Sequence, residues 1–122
     1  MTTISLPSLK TVSEFDSGVN ALLTTVSLPA LTSIQMLAGA SCNLLTSFSM
    51  PLVIFANGPF SLDLTVCALN AASINQILAR GVASNLNGYD FELTGGTNAA
   101  PSGQGVVDKA TLIGQGNIVN TN

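Results

Sequence analysis

Two pairs of carboxylates stand two residues apart in segments that read as strands, Glu14 with Asp16 and Asp90 with Glu92. That spacing puts both members on one strand face. There, with Asp63 nearby in the pattern, they could hold a calcium ion, bind a carbohydrate through it, or share the acid–base work of a small hydrolase. The same spacing also describes an ordinary solvated face, the default for carboxylates. Other reactive types are sparse. There is no histidine, which removes the commonest general base and metal ligand. Cys42 and Cys67 match no zinc spacing and form no disulfide framework. A packed, inert thiol is the expectation for Cys42, and pairing with Cys67 would need Cα atoms within about 7 Å. A Ser/Lys nucleophile needs a lysine buried beside a serine, whereas Lys10 and Lys109 stand in surface-like contexts. Gly103-Gln104-Gly105-Val106-Val107-Asp108 matches half of a dinucleotide loop, without the third glycine or a directly preceding strand, and reads as a helix-capping loop. No catalytic residue, metal site or cofactor is expected.

The elements that would position such residues must fit in 122 residues, about one domain. Only 7% of residues are charged, three basic and six acidic, while 47% are hydrophobic. Charge near roughly 25% is usual, so Ser, Thr, Asn and Gly have taken its place. Three cations in a chain of net charge −3 cannot neutralise a phosphate backbone, which argues against nucleic acid as a partner. Polybasic docking on a membrane fails for the same reason. No apolar run approaches the roughly 18 residues of a span, so no membrane insertion is expected.

The chain repeats itself. Thr3-Ile4-Ser5-Leu6-Pro7 returns as Thr25-Val26-Ser27-Leu28-Pro29 and again as Ser47-Phe48-Ser49-Met50-Pro51, with the prolines 22 residues apart. Leu9-Lys10-Thr11-Val12 returns as Leu31-Thr32-Ser33-Ile34 at the same interval. Apolar residues alternating with Ser or Thr read as half-buried strands. Ile4/Leu6, Val26/Leu28 and Phe48/Met50 should point inward and Thr3/Ser5, Thr25/Ser27 and Ser47/Ser49 outward. Each proline ends its strand, since it cannot donate to a ladder. A unit this short cannot bury its apolar side chains alone, but stacked copies can, which predicts a parallel solenoid with about 4.8 Å per added strand.

Leu31-Thr32-Ser33-Ile34, followed by Ala38, Cys42 and Leu45-Thr46-Ser47-Phe48-Ser49-Met50-Pro51, resembles the bacterial surface-antigen class of leucine-rich repeat. Here Gly39 stands where that class usually has Phe, and Gln35 where it favours Gly. The first copy carries Asp16 and Asn20 at the Ala and Cys positions. The resemblance covers about the first 55 residues. It implies a short right-handed leucine-rich-repeat solenoid, α/β to mainly β, with residues 1–122 as one domain: repeats over 1–56, irregular coils and a cap over 57–122.

Past Phe60 the rhythm changes. Residues 60–66 alternate, with Leu62, Leu64 and Val66 inward, and this strand arrives 14 residues after its apparent predecessor, as if the third repeat had lost one arm. Asn57-Gly58-Pro59 signals a sharp turn before it. Asn70 is a plausible N-cap for a helix over 71–82 with Ile74, Ile77 and Leu78 on one face. A turn at Asn87-Gly88, a strand over 89–94, a loop over 95–105, a short helix over 107–113 closed by Gly114 or Gly116, and an edge strand over 117–121 complete the chain. The stretch from Leu62 to Leu112, including Thr94-Gly95-Gly96-Thr97-Asn98, resembles the closing unit of small bacterial and phage leucine-rich-repeat proteins. The ending Asn120-Thr121-Asn122 fits the same unit and suggests a natural C-terminus.

The outward Ser/Thr ladder has two readings: a polar face of high β-propensity, or an uncharged docking surface of the kind solenoids present. On the second reading Thr3, Ser5, Thr25, Ser27, Ser47, Ser49, Asp63, Thr65 and Glu92 form a partner-binding face. The expected function is a non-enzymatic structural or protein-interaction module, its partner a protein, either a copy of itself or another virion component. The lack of a visible signal segment at Met1-Thr2-Thr3-Ile4, with the phage-type closing unit, points to a virion location as a capsid decoration or fibre- or tail-associated protein. A bacterial cell-surface adhesion module, extracellular in place, is the alternative.

Overall fold

The computed structural model describes residues 2–56 and 61–122. Among the described residues nine parallel strands and two helices follow one another as β1 (Thr3–Ser5), β2 (Thr11–Asp16), β3 (Thr25–Ser27), β4 (Ser33–Ala38), β5 (Ser47–Ser49), β6 (Ile54–Phe55), β7 (Ser61–Asp63), α1 (Ala71–Ala83), β8 (Asp90–Leu93), α2 (Gln104–Gly114) and β9 (Ile118–Thr121). The fold is α/β, with two parallel sheets. The smaller sheet runs β1-β3-β5, and the larger runs β2-β4-β7-β8-β9, with β6 also paired to β4.

The 22-residue spacing becomes register. Thr3 pairs with Thr25 and Thr25 with Ser47 in the smaller sheet, while Thr11 pairs with Ser33 in the larger. The same interval separates the partners between the strands, where Thr24, Thr32 and Thr46 each donate a backbone N–H to the carbonyl of Thr2, Lys10 and Thr24 in turn. Their hydroxyls donate to those carbonyls as well. A threonine with both donors on one acceptor thus holds the turn into β3, β4 and β5.

Alternation also sorts the side chains. Val26, Leu28, Phe48, Met50, Ile34, Leu37, Leu62, Leu64 and Phe91 are fully buried in one hydrophobic cluster shared by both sheets. Phe15 of β2 meets Phe48 of β5 edge to face, ring centroids 5.9 Å apart, which ties one sheet to the other. Gly39 is buried in the same body, and a Cβ there would come within 2.6 Å of the Leu64 side chain. That close approach explains a glycine where a large aromatic would have no room.

Four expectations are corrected. Leu6 is 40% exposed, because among the described residues no strand lies beyond β1 to cover it, while Ile4 packs against the core and is half-buried. Val66 points outward, 42% exposed, with a left-handed backbone at φ 55°, since the strand ends at Asp63 and the chain turns. The strand near residue 62 is no successor of β5. It joins the larger sheet, where Met36, Leu37 and Ala38 pair with Ser61, Leu62 and Asp63, while Ser33 and Ile34 pair with Ile54 and Phe55. Strand β4 thus has two consecutive partners and no arm is lost. The turn at residues 57–59, and Phe60, lie outside the described residues. Finally, α2 starts at Gln104, three residues earlier than expected, and Gly103 with φ 52° is its N-cap.

After β5, helices stand where strands stood. Asn70 caps α1, its side chain accepting from the Ser73 N–H at 2.9 Å, and Ile74, Ile77 and Leu78 enter the core. The helix then completes the edge of the third unit with its own side chains. Ser73 Oγ accepts the N–H of Phe48 at 3.0 Å, Gln76 Oε1 that of Met50 at 2.8 Å, and Ser84 Oγ that of Phe55 at 2.9 Å. Arg80 Nε donates to the Val53 carbonyl at 2.8 Å. Backbone donors must be paired when buried, and here a helix does for an edge strand what a fourth strand would otherwise do. Helix α2 packs against α1, while β8 and β9 extend the larger sheet.

Candidate interaction surface

Six of the nine residues expected on a partner-binding face lie together on the smaller sheet. Thr3, Thr25 and Ser47 form one in-register column, and Ser5, Ser27 and Ser49 the other. Neighbours within a column are about 4.8 Å apart and the columns about 6.6 Å, the spacings of a parallel sheet. Thr3 and Ser5 are exposed; the other four are half-exposed. The inward neighbours Val26 and Phe48 are buried, so the alternation holds the hydroxyls outward. Beside β5 the array passes into a shallow groove of about 160 Å³, lined by Ser47, Ser49, Asn70, Ser73 and Gln76 among others. Its polar lining is made of hydroxyls and amides and carries no charge.

Asp63, Thr65 and Glu92 are placed elsewhere. Asp63 is on β7 and Glu92 on β8, in register with each other in the larger sheet, with Thr65 just past β7. The nine residues therefore divide between two surfaces. Period two distinguishes in from out, but not which of two sheets a strand joins. The larger sheet is where acid gathers: Glu14, Asp16, Asp63, Asp90 and Glu92 all sit on its strands, between inward residues such as Phe15, Leu62 and Phe91.

These carboxylates have local work. Asp63 Oδ1 accepts the Thr65 N–H at 3.0 Å and its hydroxyl at 2.8 Å, which fixes the turn after β7. Glu92 Oε1 accepts Asn120 Nδ2 at 2.6 Å across to β9. Asp16 Oδ1 accepts the Gly18 N–H at 2.8 Å. Among the described residues no three His, Cys, Asp or Glu side chains are grouped to hold a metal ion.

Cys42 and Cys67 are both buried and unbridged. Cys42 Sγ donates to the Ser17 carbonyl and Cys67 Sγ to that of Gly39, each at 3.2 Å. Burial pushes the Cys67 thiol from 9.0 up to about 11, with a backbone hydrogen bond at Cys42 opposing the rise. Such a thiol is packing, not nucleophile. Gly103 and Gly105 serve α2, Gly103 as its cap and Gly105 buried against the Asn75 side chain of α1.

Two structural asparagines escape the sequence reading. Asn98 Oδ1 accepts the Leu69 N–H, and its amide donates to the carbonyls of Leu64 and Leu93. Asn117 does the same for Tyr89, Leu86 and Leu112. Each satisfies three backbone groups in the interior. In sequence, asparagine near glycine signals only a turn.

Comparison of the chain with protein-family models, with curated proteins and with solved structures gives no match. No helix among the described residues is long and apolar enough to cross a membrane.

Proposed function

We propose that this chain is a non-enzymatic structural or protein-interaction module, a short right-handed leucine-rich-repeat solenoid that docks a protein partner through its hydroxyl columns. The observation that carries the reading is the in-register array of Thr3, Ser5, Thr25, Ser27, Ser47 and Ser49, uncharged across three strands. Interface cores are depleted in charge, and a flat array of short hydroxyls orders few flexible side chains on binding. The 22-residue register supports the solenoid, each strand extending the sheet begun by its predecessor. The place proposed is the virion, as a decoration protein or a fibre- or tail-associated component. The surface-antigen character of Leu31-Thr32-Ser33-Ile34 and the unit after it supports the second reading, an extracellular bacterial adhesion module.

Immuno-electron microscopy of cells producing the protein from its native gene separates these readings. Label on phage particles is expected; label on the cell envelope favours the adhesion module, and label confined to the cell interior overturns both. Ser27→Asp then tests the face itself. It puts a charge amid the columns, so the fold should be kept while attachment weakens at least about tenfold, the loss of roughly 1.4 kcal/mol. Unchanged attachment would move the interface off the smaller sheet.

A further inference from the structure

We propose that the N-terminal edge of both sheets is an interface with a second copy of this chain, joined by a two-fold axis through Val12. This edge meets the hydroxyl columns at Thr3 and Ser5 of β1, but the proposal rests on the edge strands and their apolar and charged residues, not on the columns. Strands β1 and β2 are the terminal strands of their sheets and belong to the same 22-residue unit. Free parallel edges of this kind are templates for pairing.

The end they form is a bare cross-section of the core. Leu28, Leu31 and Ile34 are fully buried in the second unit, whereas their in-register counterparts Leu6, Leu9 and Val12 are exposed or half-buried. Val19, 83% exposed, borders with Ile4 and Asp16 a hollow of about 620 Å³ at this edge. This edge therefore presents Ile4, Leu6, Leu9 and Val12, apolar rather than polar side chains.

Charge selects the occupant. Between Ser17 and Leu62 the chain has no Asp, Glu, Lys or Arg, yet the first unit carries Lys10, Glu14 and Asp16. The positions in register with Glu14 and Asp16 on β4 are the neutral Met36 and Ala38. An antiparallel pairing of β2 with its copy, centred on Val12, sets Lys10 opposite the partner's Glu14 and Glu14 opposite the partner's Lys10. Val12 meets the partner's Val12 at the axis. Asp16, outside this exchange, is held by the Gly18 N–H. A two-fold makes one favourable pair into two. The same axis, running through the core, lays β1 along the partner's β1 and closes the apolar end.

The test is the mass in solution by light scattering after size exclusion. Wild type should run at twice 12.4 kDa. Lys10→Glu and Glu14→Lys should each raise the dissociation constant at least about tenfold by putting like charges opposite each other twice. The double swap Lys10→Glu/Glu14→Lys should restore the dimer. Both positions of change are at the surface, and circular dichroism checks that each of the three variants is folded. Wild type remaining at 12.4 kDa up to about 100 μM, where micromolar association is complete, overturns the proposal. So does a dimer that Lys10→Glu leaves intact.

Discussion

The backbone N–H of Phe48 points at Ser73 Oγ, 3.0 Å away, so that a helix side chain takes up a donor left by a strand. Both residues are buried. Where the chain changes from strand to helix, the N–H groups of Phe48, Met50 and Phe55 are paired because α1 and its C-cap present Ser73, Gln76 and Ser84 toward the third unit. Ser73→Ala removes one acceptor and leaves the Phe48 N–H dry and unpaired. The expected cost is about 1–3 kcal/mol in urea denaturation. A variant as stable as wild type would mean that water or a shifted strand replaces the bond.

Leu6 and Leu28 hold the same place in successive repeats but differ in burial, 40% exposed against none. Leu28→Ala opens a cavity in the cluster and should cost about 2–5 kcal/mol. Leu6→Ala should cost less than about 1 kcal/mol in the isolated monomer, since much of that side chain already meets water. Equal losses in dilute chemical denaturation would show that the first unit is covered as fully as the second.

Val66 holds a left-handed backbone, where a β-branched side chain is disfavoured by roughly 1–2 kcal/mol. Its N–H nonetheless donates to the Thr94 carbonyl at 3.0 Å, so the turn geometry is set by the ladder. Val66→Asn keeps the bond and suits the conformation. The melting temperature should rise by a few degrees. A lower one would place the packing of Val66 on Gly95 above the backbone strain.

The Cys67 thiol, raised from 9.0 to about 11 by burial, is neutral in the native protein across the physiological range. Because the unfolded chain gives up this proton first, the thiol's contribution to stability is fully present below about pH 9 and lost as pH rises through about 11. Denaturation midpoints should fall over that window in wild type and fall less in Cys67→Ala. At pH 8, iodoacetamide should modify neither cysteine until denaturant is added, because both are buried. Rapid labelling of the native protein would contradict the packing described.

Much of this architecture was legible in the residues. The proline spacing anticipates the register of β1 with β3 and β3 with β5, and Asn70 marks the start of α1 within a residue. What alternation could not convey was sheet membership. Ser61-Leu62-Asp63 and Ser47-Phe48-Ser49 carry the same polar–apolar–polar pattern, yet they lie in different sheets, because membership depends on the path between them. For the same reason Asp63, Thr65 and Glu92 were grouped with hydroxyls they do not join. Asn98 and Asn117 were missed because a buried amide with three partners looks, in sequence, like any turn asparagine.

The exchange of strands for helices also changes the spacing within the molecule. Two packed helices need about 8–10 Å between axes, whereas the strands opposite them stand about 4.8 Å apart. In the first two units strands stand opposite strands, whereas after β5 the helices α1 and α2 share their units with β8 and β9. The two sides there have unequal natural spacings, one set by helix packing and the other by the sheet ladder. Asp90 and Glu92 lie on the strand side of that mismatch, while the hydroxyl columns belong to the part where both sides are strands.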